Sequence, residues 1–226
     1  MLPRLEVMGL PRTRRRLFAD ISFRTPGELM SWKKTFPDPE NSPAYHTRTL
    51  SICCPQVVVA ADAEEGGWIR TFRHVVALDV RGGLWNIDES EVPLVLFHNF
   101  SPVLKSLRVV SRTLQCPQVF NLICSLPLLE DLCVKDYGGD NNDRDGTVFQ
   151  PSTSPVLTGT LEFDLPERME RVTRRLLGLP NGLRFRKLVW TWFHEEDIPR
   201  TVALVVGCYD TLEYVDINCW LHSMSL

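Results

Sequence analysis

The sequence predicts an α/β solenoid: parallel strands side by side in one curved sheet, with helices on its convex side. Three observations lead there. A six-residue phrase, apolar-x-x-apolar-x-apolar with Thr in the first place at 47 and 158, recurs seven times. The interval between phrases is nearly constant. The segments between phrases carry helical periodicity, opened by Pro and closed by Gly or Pro.

The phrases are Thr47–Ile52, Val75–Val80, Leu104–Val109, Leu129–Val134, Thr158–Phe163, Phe185–Trp190 and Leu212–Ile217. Their fourth residues stand at 50, 78, 107, 132, 161, 188 and 215, at intervals of 28, 29, 25, 29, 27 and 27 residues. Alternation at the fourth and sixth positions marks a short strand with one buried face. An LxxLxL phrase in a unit of about 20–29 residues is the leucine-rich-repeat signature. The seven phrases are therefore expected as consecutive parallel strands of one sheet. Leu78, Leu107, Leu132, Leu161 and Leu188 are expected to be buried. Residues 46–226 read as one irregular repeat domain of about seven repeats, and residues 1–45 as an N-terminal cap. The asparagine that often stitches such turns is missing: its places hold Pro55, Gly83, Arg112, Tyr137, Pro166, Phe193 and Trp220. An asparagine ladder cannot join these units.

Each connecting segment is judged by its own pattern. Ser90–Phe100 has apolar residues at 92 and 94–97. Pro117–Leu126 opens on a proline suited to a first helical position. Pro166–Leu177 places Met169, Val172, Leu176 and Leu177 at helical spacing before Gly178 and Pro180 stop it. Glu195–Cys208 has acids in its first turn and Gly207 at its end. Pro55–Phe72 is ambiguous: Val57–Val59 suggests strand, whereas the repeat position asks for a helix broken at Gly66-Gly67. Asp136–Pro155, rich in Gly, Asp, Asn, Ser and Pro, reads as an irregular loop.

The 226 residues carry 25 basic and 28 acidic side chains, with 44% hydrophobic and 23% charged composition. That is ordinary globular composition, and the net charge of −3 argues against a nucleic-acid-binding protein. The short apolar stretches near the N-terminus are broken by Pro3, Arg4, Glu6 and Pro11, so no signal peptide is expected. No run approaches the roughly 18 apolar residues of a membrane span. The seven cysteines form no CxxC pair and no zinc spacing, and Cys124, Cys133, Cys208 and Cys219 lie in apolar runs. Reduced thiols, in cytoplasm and/or nucleus, are expected.

Chemical motifs are sparse. Asn141–Gly146 fits the first half of a calcium loop, but position twelve is Ser152 where a bidentate Glu is needed, and Pro151 and Pro155 forbid the exiting helix. A solvated loop is the preferred reading. Arg12, Arg14, Arg15 and Arg16 could serve nuclear localisation or phosphate contact, with residues 1–34 at a local net of +5, but no aromatic platform interleaves with them. A frayed, solvated end is the preferred reading. His194-Glu-Glu-Asp197 precedes a helix, where acids favour the dipole. His46, His74, His98 and His222 are scattered singly, and no GxSxG, GxGxxG, P-loop or HExxH occurs. No catalytic, metal or cofactor residues are assigned. In Val189–Phe193, Trp190 should point into the core, and Trp192 is read as core or edge packing rather than a surface anchor.

Leu17–Phe23, followed by Ser31–Phe36 and Thr47–Ile52, resembles the segment just after the F-box in the F-box/leucine-rich-repeat families of mushroom-forming fungi. Phe97–Leu107, Ser125–Leu132 and Leu179–Leu188 match the same pattern, so the resemblance covers about residues 17–219. It implies substrate recognition in a ubiquitin ligase, with an F-box gripping the Skp adaptor and the repeats holding the substrate. The F-box itself needs roughly 40–50 residues of helix. Sixteen residues precede Leu17. The F-box is therefore expected to be largely missing, leaving at most a remnant within 1–45, and adaptor binding to be weak or absent.

The expected function is a monomeric, non-catalytic scaffold that binds a protein on its concave strand face. Side chains flanking the buried positions should point there: Asp79, Arg81, Arg108, Asp131, Lys135, Glu162, Asp164, Lys187, Tyr214 and Asp216. Their mixed signs suit electrostatic selection. The competing readings are an enzyme or metal-dependent protein with a site assembled only in space, and a truncated, degenerate gene product.

Overall fold

The computed structural model describes residues 16–38, 41–53, 68–82, 102–110, 120, 122–135, 155–164, 170–193 and 198–219. Eight parallel strands form one open sheet: β1 (Asp20–Phe23), β2 (Thr49–Ile52), β3 (Ala77–Arg81), β4 (Ser106–Val110), β5 (Asp131–Lys135), β6 (Thr160–Phe163), β7 (Lys187–Phe193) and β8 (Tyr214–Cys219). Their spatial order is their order in the chain. The seven phrases supply β2 to β8. This architecture, α/β with an open parallel sheet and a few helices, is compatible with a solenoid.

β1 was not expected. It pairs with β2 in the register Ile21↔Leu50 and Phe23↔Ile52. Phe18-x-x-Ile21-x-Phe23 is itself an unrecognised eighth phrase, with Ile21 in line with the fourth positions.

The register explains the phrase. Leu50, Leu78, Leu107, Leu132, Leu161, Leu188 and Val215 stand directly opposite one another across β2–β8. Because side chains alternate across a strand, the sixth positions form a second row on the same face. In β2 to β7 both rows are buried, from Leu50 and Ile52 to Leu188 and Trp190. At β8 they emerge: Val215 and Ile217 are each 38% exposed, against 0% for Leu188 and 2% for Trp190. Each buried leucine or valine contributes roughly 1.5–3 kcal/mol of transfer free energy.

Helices cover this apolar face. α1 (Pro26–Thr35) follows β1, α2 (Glu170–Leu177) precedes β7, and α3 (Ile198–Gly207) precedes β8. Leu29, Val172, Leu176 and Leu204 belong to the same buried cluster as the strand leucines. The expectations for Pro166–Leu177 and Glu195–Cys208 thus hold over their described parts, and Phe120 and Leu122–Cys124 are helical as well. α1 has a reciprocal cap: Thr25 Oγ1 accepts the Glu28 N–H at 3.3 Å, and Glu28 Oε2 accepts the Arg24 N–H at 2.6 Å. In Pro55–Phe72 the described stretch Trp68–Thr71 is a 3-10 turn. Ser90–Phe100, the calcium-like loop Asn141–Ser152, Arg12–Arg15, His194–Asp197, His98, His222 and nearly all of Asp136–Pro155 lie outside the described residues.

Main-chain carbonyls, rather than asparagines, join the units at the strand starts. Ala19 O accepts the N–H groups of both Arg48 and Thr49. Arg48 O takes those of Val76 and Ala77, and Val76 O those of Lys105 and Ser106. Lys105 O, Gly159 O and Arg186 O repeat the pattern for β5, β7 and β8. Only the start of β6 differs. There the Thr158 of the expected phrase is half-buried, and Leu157, with φ of 45° and 0% exposure, fills the core slot instead.

Candidate functional site: the polar face of the sheet

The strand residues between the buried positions form the opposite, polar face. The register sets Asp79, Arg108, Cys133, Glu162, Val189 and Asp216 in one row across β3–β8. Asp131 lies beside Ser106 in a flanking row, which also carries Thr160, Lys187 and Tyr214 side by side. Arg81, Val110 and Lys135 stand in the third row, and Asp164 directly follows β6. All ten residues named from sequence are thus brought to one face. Arg81 and Tyr214 are exposed and the other eight half-buried.

Most of their charge is matched internally. Arg81 grips Asp79 through Nε, 3.0 Å from both carboxylate oxygens, and through Nη2 at 2.6 Å. Lys135 Nζ meets Glu162 Oε1 at 2.5 Å. Lys187 Nζ sits 4.9 Å from the centre of the Tyr214 ring, a cation–π contact. Asp131 Oδ1 accepts the Thr160 N–H at 2.7 Å and is engaged in the sheet itself. Arg108 is different. Its Nε is buried and has no hydrogen-bond partner among the described residues. An unmatched buried donor costs about 1–3 kcal/mol, which favours a turn of the Arg108 side chain that brings this nitrogen to an acceptor.

Cys133 lies in an apolar run of the sequence and occupies the outward fifth position of its phrase, between Arg108 and Glu162 in the central row. Burial first, then the Glu162 charge and a hydrogen bond donated to that carboxylate, push the thiol up to about 12, outweighing Arg108 and Lys135. Burial also pushes Glu162 up. Hydrogen bonds from Lys135 and Cys133, with the charges of Lys135 and Arg108, outweigh it and hold the carboxyl below its usual value. Cys124 and Cys208 are buried.

Trp190 is 2% exposed and points into the core as expected. The side chain of Trp192 lies outside the described set. Two histidines that looked isolated in sequence come together: His46 and His74 both pack edge-on against Tyr45, with ring centres 5.7 and 4.4 Å away. Each lies four residues before the fourth position of its phrase, so the pairing of Leu50 with Leu78 brings them side by side. Reading histidines by their distance from the phrase, rather than along the chain, would have found the pair.

Among the described residues no group of three or more His, Cys, Asp and Glu gathers to hold a metal ion. Nor is any helix among them long and apolar enough to cross a membrane. Comparison with family models, with curated proteins and with solved structures finds no match for this chain.

Proposed function

We propose that this protein is a non-catalytic interaction scaffold of the leucine-rich-repeat type, and that the polar, concave face of its sheet binds a partner protein. The observation that carries this reading is Arg108. It stands in the middle of the three rows of the polar face, the cations of the flanking rows are matched within the face, and its buried Nε lacks an acceptor. A partner's carboxylate or carbonyl would supply one once the Arg108 side chain turns outward. Successive strands also give this face the longest continuous ordered surface of a solenoid. The resemblance across residues 17–219 supports a more specific role, substrate recognition of the ubiquitin-ligase type, with weak or absent Skp-adaptor binding. The proposal includes a monomer acting in cytoplasm and/or nucleus, without nucleic acid.

Proximity labelling or affinity purification should recover the partner, which is then titrated against the Arg108→Glu/Lys187→Glu double variant. Affinity should fall, and fall further with salt, because exposed charges are screened over about 8–10 Å at physiological ionic strength. Unchanged affinity, with circular dichroism showing an intact fold, would remove the binding site from this face.

A further inference from the structure

At the strand-start edge of β1–β3 lie two adjoining hollows, or lobes, whose linings share Tyr45 and His46. One lobe, of about 280 Å³, is lined by Tyr45, His46, Arg48 and His74. The other, of about 330 Å³, is walled by Phe18, Phe36 and Pro43, with Asn41 and Ser42. The local sequence fixes these walls. Ser42 Oγ accepts the Ala44 N–H at 3.3 Å and starts a 3-10 turn over Pro43–His46, and the Thr47 N–H closes it on Ala44 O at 3.0 Å. Pro43 and Ala44 are buried under the turn, which leaves Tyr45 59% exposed between the two imidazoles. Phe18 and Phe36 meet edge to face at 6.2 Å and both pack on Trp32.

The two lobes differ in chemistry. Arg48, His46 and His74 bring N–H donors to the smaller lobe, and no carboxylate lines either lobe among the described residues. Arg48 spends Nη1 on His74 O at 3.4 Å, and no other guanidinium bond forms among the described residues. The larger lobe presents two phenyl rings and a proline. Polar groups converging beside an aromatic wall are the usual form of a small-molecule site. A phosphate monoester offers three terminal oxygens to the three donor side chains, where a carboxylate offers two. Arg is also the side chain best matched to phosphate geometry.

We propose that the two adjoining lobes together bind one aryl phosphate monoester. The phosphate lies against Arg48, His46 and His74, and the ring lies against Phe18 and Phe36. The ligand is either a free small molecule or a phosphotyrosyl side chain, which share this chemistry.

Calorimetric titration of the full chain with phenyl phosphate tests the assignment. Saturable binding is expected, weakened at least about tenfold by Arg48→Gln and by His74→Gln, and unchanged by Arg73→Gln, which alters a neighbouring exposed cation. Melting temperatures of the variants, matched to the parent, keep the comparison free of folding effects. Inorganic phosphate and benzoate should each bind at least about tenfold more weakly than phenyl phosphate. A short phosphotyrosyl peptide that binds more tightly than phenyl phosphate assigns a protein-borne ligand, and one that binds more weakly assigns a free one; either supports the site. No saturable binding of phenyl phosphate, equal binding of inorganic phosphate or benzoate, or an Arg48→Gln variant that binds like the parent would overturn it.

Discussion

The carboxylate of Asp131 and the backbone of Thr160 are joined by a 2.7 Å hydrogen bond that replaces a main-chain link. At the other strand starts from β2 to β8, one carbonyl receives two successive N–H groups. At β6, Glu130 O takes the Gly159 N–H at 3.0 Å, and Asp131 Oδ1 takes the next. Gly159 makes room for this: a Cβ there would overlap the Asp131 carboxylate and press on Glu130 O at 3.1 Å. Asp131 therefore acts within the sheet, whatever else the polar face does.

Gly159→Ala should destabilise the fold by about 1–3 kcal/mol, the usual range for overpacking. Asp131→Ala should cost a similar ~1–3 kcal/mol by stranding the Thr160 N–H. Because the two residues contact each other, the double variant should lose less than the sum. Urea denaturation of the four proteins checks this, and strict additivity would dissociate the two residues.

Thr47 gives a prediction of opposite sign. It is 0% exposed, and its Oγ1 has no hydrogen-bond partner among the described residues. The same place in the next phrase holds Val75, also 0% exposed. Thr47→Val keeps the branched shape and removes the stranded hydroxyl, so stability should rise by about 1 kcal/mol. Thermal and urea unfolding measure the gain.

Leu107 and Arg108 are neighbours on opposite faces of β4. Leu107, 1% exposed, should cost about 2–5 kcal/mol when cut to alanine. Arg108→Ala should leave stability within about 0.5 kcal/mol or raise it slightly, since it removes an unmatched donor. Equal losses in the two variants would contradict the assignment of faces.

Glu162 and Cys133 make a pH prediction whose sign is fixed. The folded carboxyl lies below its unfolded value, so its stabilising contribution is fully present above the ordinary glutamate range and is lost as pH falls through the folded value. The stability difference between the parent and Glu162→Gln should shrink with acidification across that window. In the same row, a thiol pushed up to about 12 stays protonated at pH 8 and should alkylate slowly. Glu162→Gln removes two of the causes that raise it and should speed labelling of the Cys133 peptide, followed by mass spectrometry.

The strand rows were legible because side-chain alternation has a period of two, and Leu78 to Leu188 show it without interruption. Less obvious features followed rules already in view. Phe18-x-x-Ile21-x-Phe23 satisfies the phrase, and Thr25-Pro-Gly-Glu28 is a capping box that announces α1. The slot at β6 was misplaced by one residue because Leu157 adopts a left-handed backbone, and pattern alone does not show which non-glycine residue will do so. The place of Cys133 on the polar face follows from the phase of its phrase, which the apolar run around it obscures. The hollows at Tyr45 were invisible along the chain because their residues come from separate units and meet only once strands stack.

A sheet whose spatial order repeats its chain order has a mechanical consequence. Each strand is laced to the one before it and the one after it, so the molecule behaves like a row of tiles rather than a keyed arch. Loosening should start at an end and travel inward, β8 first, because its Val215 and Ile217 rows are already wetted. Amide exchange should therefore grade along the row, fastest in β8 and slowest near β4 and β5, and evolution can lengthen such a row by adding one matched tile without refitting the others.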